Sequence, residues 1–122
     1  MGKFLYSTAP IENESGTMYA SEPVHYTVTV IAVNNSRKKK ASFTITLYQL
    51  NGKITEFSSE TRDIGPQESM SVDLNTAGLD RFIIEISGKH KEKSPLLFSV
   101  TGKDEVGAVT YMMPMTSLKN NK

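Results

Sequence analysis

From Ala41 to Leu50 apolar and hydroxyl side chains take turns. Phe43, Ile45 and Leu47 fall on one side of an extended chain, and Ser42, Thr44, Thr46 and Tyr48 on the other. That period of two belongs to a half-buried strand rather than to a helix. The same alternation sets Val24, Tyr26, Val28 and Val30 against His25, Thr27 and Thr29 over residues 24–33. It returns in Met70, Val72 and Leu74, and again in Phe82, Ile84 and Ile86, with Ile83 and Glu85 facing away. The runs LLFSVTG (96–102) and AVTYMMPM (108–115) complete the set, and helical periodicity is almost absent.

Turn chemistry separates these runs. Asn51-Gly52 tolerates positive φ at both centres and predicts a tight hairpin onto a strand over Lys53 to Ser58. DIGPQES (63–69) is a turn whose Pro66 removes a ladder donor; NTAGLD (75–80) allows one irregular or helical turn; GKHKEKSP (88–95) is a charged loop; KDEVG (103–107) turns again. The pattern predicts an all-β fold, an antiparallel two-sheet β-sandwich of seven to nine strands, with jelly-roll and immunoglobulin-like strand orders both open. Residues 1–23 hold only fragments of strand, Phe4 to Tyr6 and Thr17 to Ala20, broken by Pro10, Gly16 and Pro23. They read as an N-terminal arm, followed by a sandwich over 24–115 and a polar tail over 116–122.

Composition narrows the function by exclusion. At 122 residues there is room for one domain. Fourteen Lys and Arg against 13 Asp and Glu leave a net charge of +1, so no overall field draws in nucleic acid or an anionic membrane. No run is long and apolar enough for membrane insertion. With no cysteine there is no disulfide, thiolate nucleophile or zinc-thiolate site. Phe4 to Tyr6 is far shorter than the apolar core of an export signal, so no signal peptide is visible.

The candidate chemistry is thin. Arg37-Lys38-Lys39-Lys40 has no interleaved aromatic residues for base stacking and reads as a solvated strand connection. His25 and His90 lack partners at metal-site spacing. Asp63, Glu68, Asp73, Asp80 and Glu85 are scattered, and the chain has no Trp to form a sugar platform beside a carboxylate pair. Met112, Met113 and Met115 could hold Cu(I), but methionines at a strand end more often fill a core or contact surface. Asn13-Glu14-Ser15 and Asn34-Asn35-Ser36 match the glycosylation triplet and read as polar turn residues. No cofactor and no catalytic group is expected.

The order of VTVIAVNNS, ASFTITLYQLNG, IGPQESMSVDL, FIIEISG and LLFSVTGKDEVG resembles bacterial surface β-sandwich modules of the immunoglobulin-like and jelly-roll kinds. It is most similar to small single-domain sandwich proteins of the spore surface in Gram-positive spore formers, the exosporium and endospore-appendage subunits. That resemblance spans roughly residues 17 to 115. It implies jelly-roll subunits that assemble into fibres by sheet augmentation and carry an N-terminal connector arm bearing cysteines. This chain has none, so covalent cross-linking through the arm is excluded. The resulting expectation is a non-enzymatic structural or interaction protein of a spore or cell surface. It would self-associate, or bind another surface protein, through sheet edges and an arm anchored by Phe4, Leu5 and Tyr6. The alternative is a glycan- or polymer-binding module using an exposed tyrosine such as Tyr48 or Tyr111.

Overall fold

The computed structural model describes residues 2–13, 25, 27–90, 96–104 and 106–117. Ten strands are present among them, one above the expected range: β1 Gly2–Thr8, β2 Ile11–Glu12, β3 Thr27–Asn34, β4 Ala41–Leu50, β5 Ile54–Ile64, β6 Ser69–Asn75, β7 Arg81–His90, β8 Leu96–Lys103, β9 Val109–Met113 and β10 Met115–Ser117. No helix occurs among the described residues; NTAGLD makes a tight turn, closed by the Leu79 amide donating to the Thr76 carbonyl at 3.1 Å.

All pairings are antiparallel. One sheet runs β10-β1-β7-β4-β5, with β2 beside β7; the other runs β6-β3-β8-β9. β3 lies between β6 and β8, β4 lies between β7 and β5, and the two sheets form an antiparallel β-sandwich. The chain changes sheets along both flanks: through residues 65–68 between β5 and β6, and at Pro114 between β9 and β10. Proline suits such a corner because it offers no amide to a ladder.

The core follows the alternation. Val28, Val30 and Ala32 of β3, Phe43, Ile45 and Leu47 of β4, and Phe82, Ile84 and Ile86 of β7 are all at most 1% exposed. Val72, Leu74, Leu96, Val100 and Met113 close the layer from the smaller sheet.

The N-terminal arm does not survive as an arm. β1 lies between β10 and β7, pairing Tyr6 with Ser117 on one side and Ile86 on the other. Register places Phe4 opposite Gly88 and Tyr6 opposite Ile86, so both face inward, and Leu5 faces out beside Ser87. Gly88 makes this possible: a Cβ there would lie 2.7 Å from Cζ of Phe4 and 2.8 Å from the Ser42 carbonyl oxygen. Pro10 then breaks the strand, and the Thr8 hydroxyl accepts the Ile84 amide at 3.1 Å. Pairing resumes at Ile11 opposite Phe82. Residues 14–23, the rest of the expected arm, lie outside the described residues, as do Val24 and Tyr26 of the first expected strand and 118–122 of the tail; Thr116 and Ser117 belong to β10.

Candidate functional site

Among the described residues the strand orders end at β10 and β5 in the larger sheet and at β6 and β9 in the smaller. Three are short, at 3, 7 and 5 residues, but β5 has 11. Among the described residues its only ladder partner is β4, so one side of its backbone is open. Gly52 carries the hairpin, with φ of 92°, and the loop has three residues, Asn51 to Lys53, rather than two.

The hairpin was legible, but its second strand was expected to stop at Ser58. It continues because pairing to β4 runs on to Ile64 opposite Ala41. Phe57 is an extra residue: Leu47 faces Ser58 and Tyr48 faces Glu56, so a bulge divides the strand. Beyond it Ser58, Glu60, Arg62 and Ile64 share the inward face with Leu47, Ile45, Phe43 and Ala41 of β4. Only Ile64 is buried, at 1% exposure. Glu60 and Arg62 keep 36% and 45% of their side-chain surface, so the smaller sheet does not cover them. The Arg62 guanidinium donates to Glu60 Oε1 from Nε at 3.0 Å and from Nη2 at 2.5 Å. Alternation could not reveal this segment, since it is polar on both faces. The usable signal was the opposite charges of Glu60 and Arg62 two residues apart, on one face of any extended chain.

The outer face of the larger sheet is a field of hydroxyls. Thr44 and Thr61 are hydrogen-bonded at 2.9 Å, and Thr46 and Ser59 at 3.3 Å. Tyr48 sits in this field. Burial first, then the nearby Glu85 carboxylate, then Glu56, raise the phenol above its ordinary pKa. Tyr111, the other tyrosine singled out, has a side chain outside the description.

Met113 is buried at 4% exposure, Met115 is half-buried and Met112 is 65% exposed. With Tyr6, Leu96 and Phe98 they line a shallow groove of about 400 Å³ on the flank where Pro114 crosses between sheets. The three expected anchors are thus divided. Tyr6 is 6.0 Å and Phe4 5.9 Å from the Phe98 ring, which in turn meets Phe43 edge-on at 5.2 Å, while Leu5 is on the outer face.

The ends of the sandwich are tied by two buried asparagines. Nδ2 of Asn13 donates to the carbonyls of Thr76 and Leu79, each at 2.9 Å, and of His25 at 3.1 Å; its Oδ1 accepts the His25 amide at 2.6 Å. Asn34 donates to the carbonyls of Lys39 and Ile64 and accepts the Ser36 amide. Both side chains are at most 1% exposed, so neither glycosylation triplet is available in the folded chain. Arg37 to Lys40 are all exposed, on a connection pinned by Ser36 Oγ accepting the amides of Lys38 and Lys39.

The carboxylates have separate local partners. Glu68 accepts the Gly65 amide and Asp73 the Thr29 hydroxyl, while Glu85 lies near the Tyr48 phenol. Among the described residues no three or more His, Cys, Asp or Glu gather closely enough to hold a metal ion, and no helix is long and apolar enough to cross a membrane. His25 is buried at 5% exposure, and that burial lowers its pKa. The His90 side chain lies outside the description.

No protein-family model and no curated protein matches the chain. Two solved structures share its fold along most of its length. One, titled Crystal Structure of Thermotoga maritima 1070, is 16% identical with a TM-score of 0.52 over 95% of this chain and 89% of its own. The other is the Anabaena sensory rhodopsin transducer, also 16% identical, with a TM-score of 0.51 over 87% and 92%. At that identity the likeness speaks to the fold alone.

Proposed function

We propose that the protein is a non-enzymatic structural or interaction protein that associates with copies of itself, or with another surface protein, through a sheet edge. The observation that carries this reading is β5: an 11-residue edge strand, open along one side among the described residues, with Ile54 and Phe57 68% and 51% exposed beside its hairpin end. An incoming strand would complete the ladder. Fibre assembly by sheet augmentation, which the resemblance to spore-surface subunits implies, would use such an edge. The arm is no longer part of the proposal, because Phe4 and Tyr6 already serve the protein's own interior.

Light scattering over a concentration series, paired with electron microscopy, tests this reading. Mass should rise above that of one chain, with discrete oligomers or filaments on the grid. A constant monomer mass to millimolar concentration would refute self-association.

A glycan-binding module is the second reading. One observation favours it: Tyr48 lies near the Glu85 carboxylate within a hydroxyl-rich sheet face, a combination of apolar ring and acceptor that suits a sugar. Retention on immobilised polysaccharide, lost in Tyr48→Ala, would support it.

A further inference from the structure

We infer that β5 pairs with β5 of a second copy, antiparallel about a two-fold axis at Thr61. This rests on the self-association proposed above and names its surface, partner and register.

The argument begins with how edges are normally protected. Short length, Pro, Lys, bulges and inward-pointing charges all discourage strand addition. β9 and β10 are short and Pro114 joins them, while β6, with Asp73 as its one charged residue, offers a second copy no pair of opposite charges. β5 has neither Pro nor Lys, and its bulge at Phe57 leaves seven regular residues, Ser58 to Ile64. Its inward charges, Glu60 and Arg62, would block a neutral partner, which would desolvate them without compensation. They do not block a second copy, because they are of opposite sign and two residues apart on one face.

Register decides the matter. Continuing the sheet with its faces matched allows only registers that differ by two residues in the sum of paired positions, since a one-residue slip puts inward against outward side chains. With Thr61 on the axis, Glu60 of each chain lies opposite Arg62 of the other, giving two ion pairs related by symmetry. Ser59 then meets Asp63, and Ser58 meets Ile64. Moving the axis to Glu60 places Glu60 against Glu60; moving it to Arg62 places Arg62 against Arg62. Directly opposed like charges disfavour pairing, so the sequence of this edge selects one register and rejects its neighbours. The guanidinium needs only to turn from Glu60 of its own strand, an exposed pair worth little to the monomer. Both copies use the same patch, as a two-fold interface requires.

Sedimentation or light scattering of wild type, Arg62→Glu and the exchanged double variant Glu60→Arg/Arg62→Glu tests the pairing, with urea unfolding run alongside. Arg62→Glu should weaken association by about tenfold or more, by creating two like-charge pairs. The double variant should restore it, and all three should share one urea midpoint at concentrations too low for association. Because the chain has no cysteine, Thr61→Cys reports register directly: it should oxidise to a covalent dimer, whereas Ser69→Cys on β6 should not. Wild type that associates while Arg62→Glu associates equally well, or Thr61→Cys fails to cross-link, overturns this pairing and leaves association through another surface standing. Wild type that stays monomeric at every concentration overturns both.

Discussion

Asn13 holds three separate stretches of chain with one amide. Because it is 1% exposed, water cannot replace a lost partner: the Leu79 carbonyl and the His25 amide are held by it, while the Thr76 and His25 carbonyls also accept the Leu79 amide and the Thr76 hydroxyl. Asn13→Ala should therefore cost about 3 kcal/mol, the scale of leaving buried polar groups unsatisfied. Asn13→Asp should cost more, since a carboxylate would face three carbonyl oxygens. Urea unfolding measures both, and a loss below about 1 kcal/mol for the alanine variant would show that the knot is dispensable. The sequence marked Asn13 only as a polar turn residue; its value comes from Thr76 and Leu79, more than sixty positions away.

Beside it, His25 makes stability pH-dependent. Burial lowers its pKa from 6.5, so below that value the unfolded chain binds the proton more readily than the folded one. Its contribution is full above about pH 6.5 and is lost as pH falls toward the lowered folded value. Gly102 admits the ring, since a Cβ there would lie 2.5 Å from Nδ1. The urea midpoint of wild type should drop between pH 7.5 and 5.5, and His25→Gln should flatten that drop. An equal drop in the variant would assign the effect to other groups.

At the scale of the strand, legibility followed burial. β3, β4, β6 and β7 could be read because each presents an apolar row to one layer, and Val28, Phe43, Val72 and Ile84 lie where alternation puts them. β5 was cut short because the smaller sheet leaves Ser58 to Arg62 uncovered, and an uncovered strand has no reason to alternate. Phe57 adds to the irregularity by occupying the bulge. Its position makes a deletion informative. Removing Phe57 leaves Glu56 opposite Tyr48 and Ser58 opposite Leu47, so no other residue changes face, and the loss should stay within about 1 kcal/mol. Removing Thr46 from regular β4 instead turns a core row outward and should abolish folding. Circular dichroism and urea melts of the two deletions check the contrast; equal damage from both would mean that Phe57 is a structural contact.

Over the whole molecule, what could not be read was the pairing of the N-terminal strand. Phe4-Leu5-Tyr6 is three residues of signal between Gly2 and Pro10, and its partner β7 is about eighty positions distant, so neither local period nor turn chemistry reveals that the two meet. The glycine that admits Phe4 is equally silent in isolation, because Gly88 looks like the start of a charged loop. Yet β1 is flanked on both sides, and its removal opens the larger sheet between β10 and β7. Deleting residues 2–12 would strip Phe4 and Tyr6 from the Phe98 cluster, Ile11 from the core and the Thr8 hydroxyl from the Ile84 amide. A domain of this size holds a net stability of only about 5–15 kcal/mol, the same order as the burial of Phe4, Tyr6 and Ile11 at about 1.5–3 kcal/mol each. The truncated chain should show no cooperative urea transition and should bind dyes specific for exposed apolar surface. A detachable arm would give the opposite result, a shortened chain that folds normally and differs only in mass, so one unfolding curve separates a strand of the sandwich from an appendage to it.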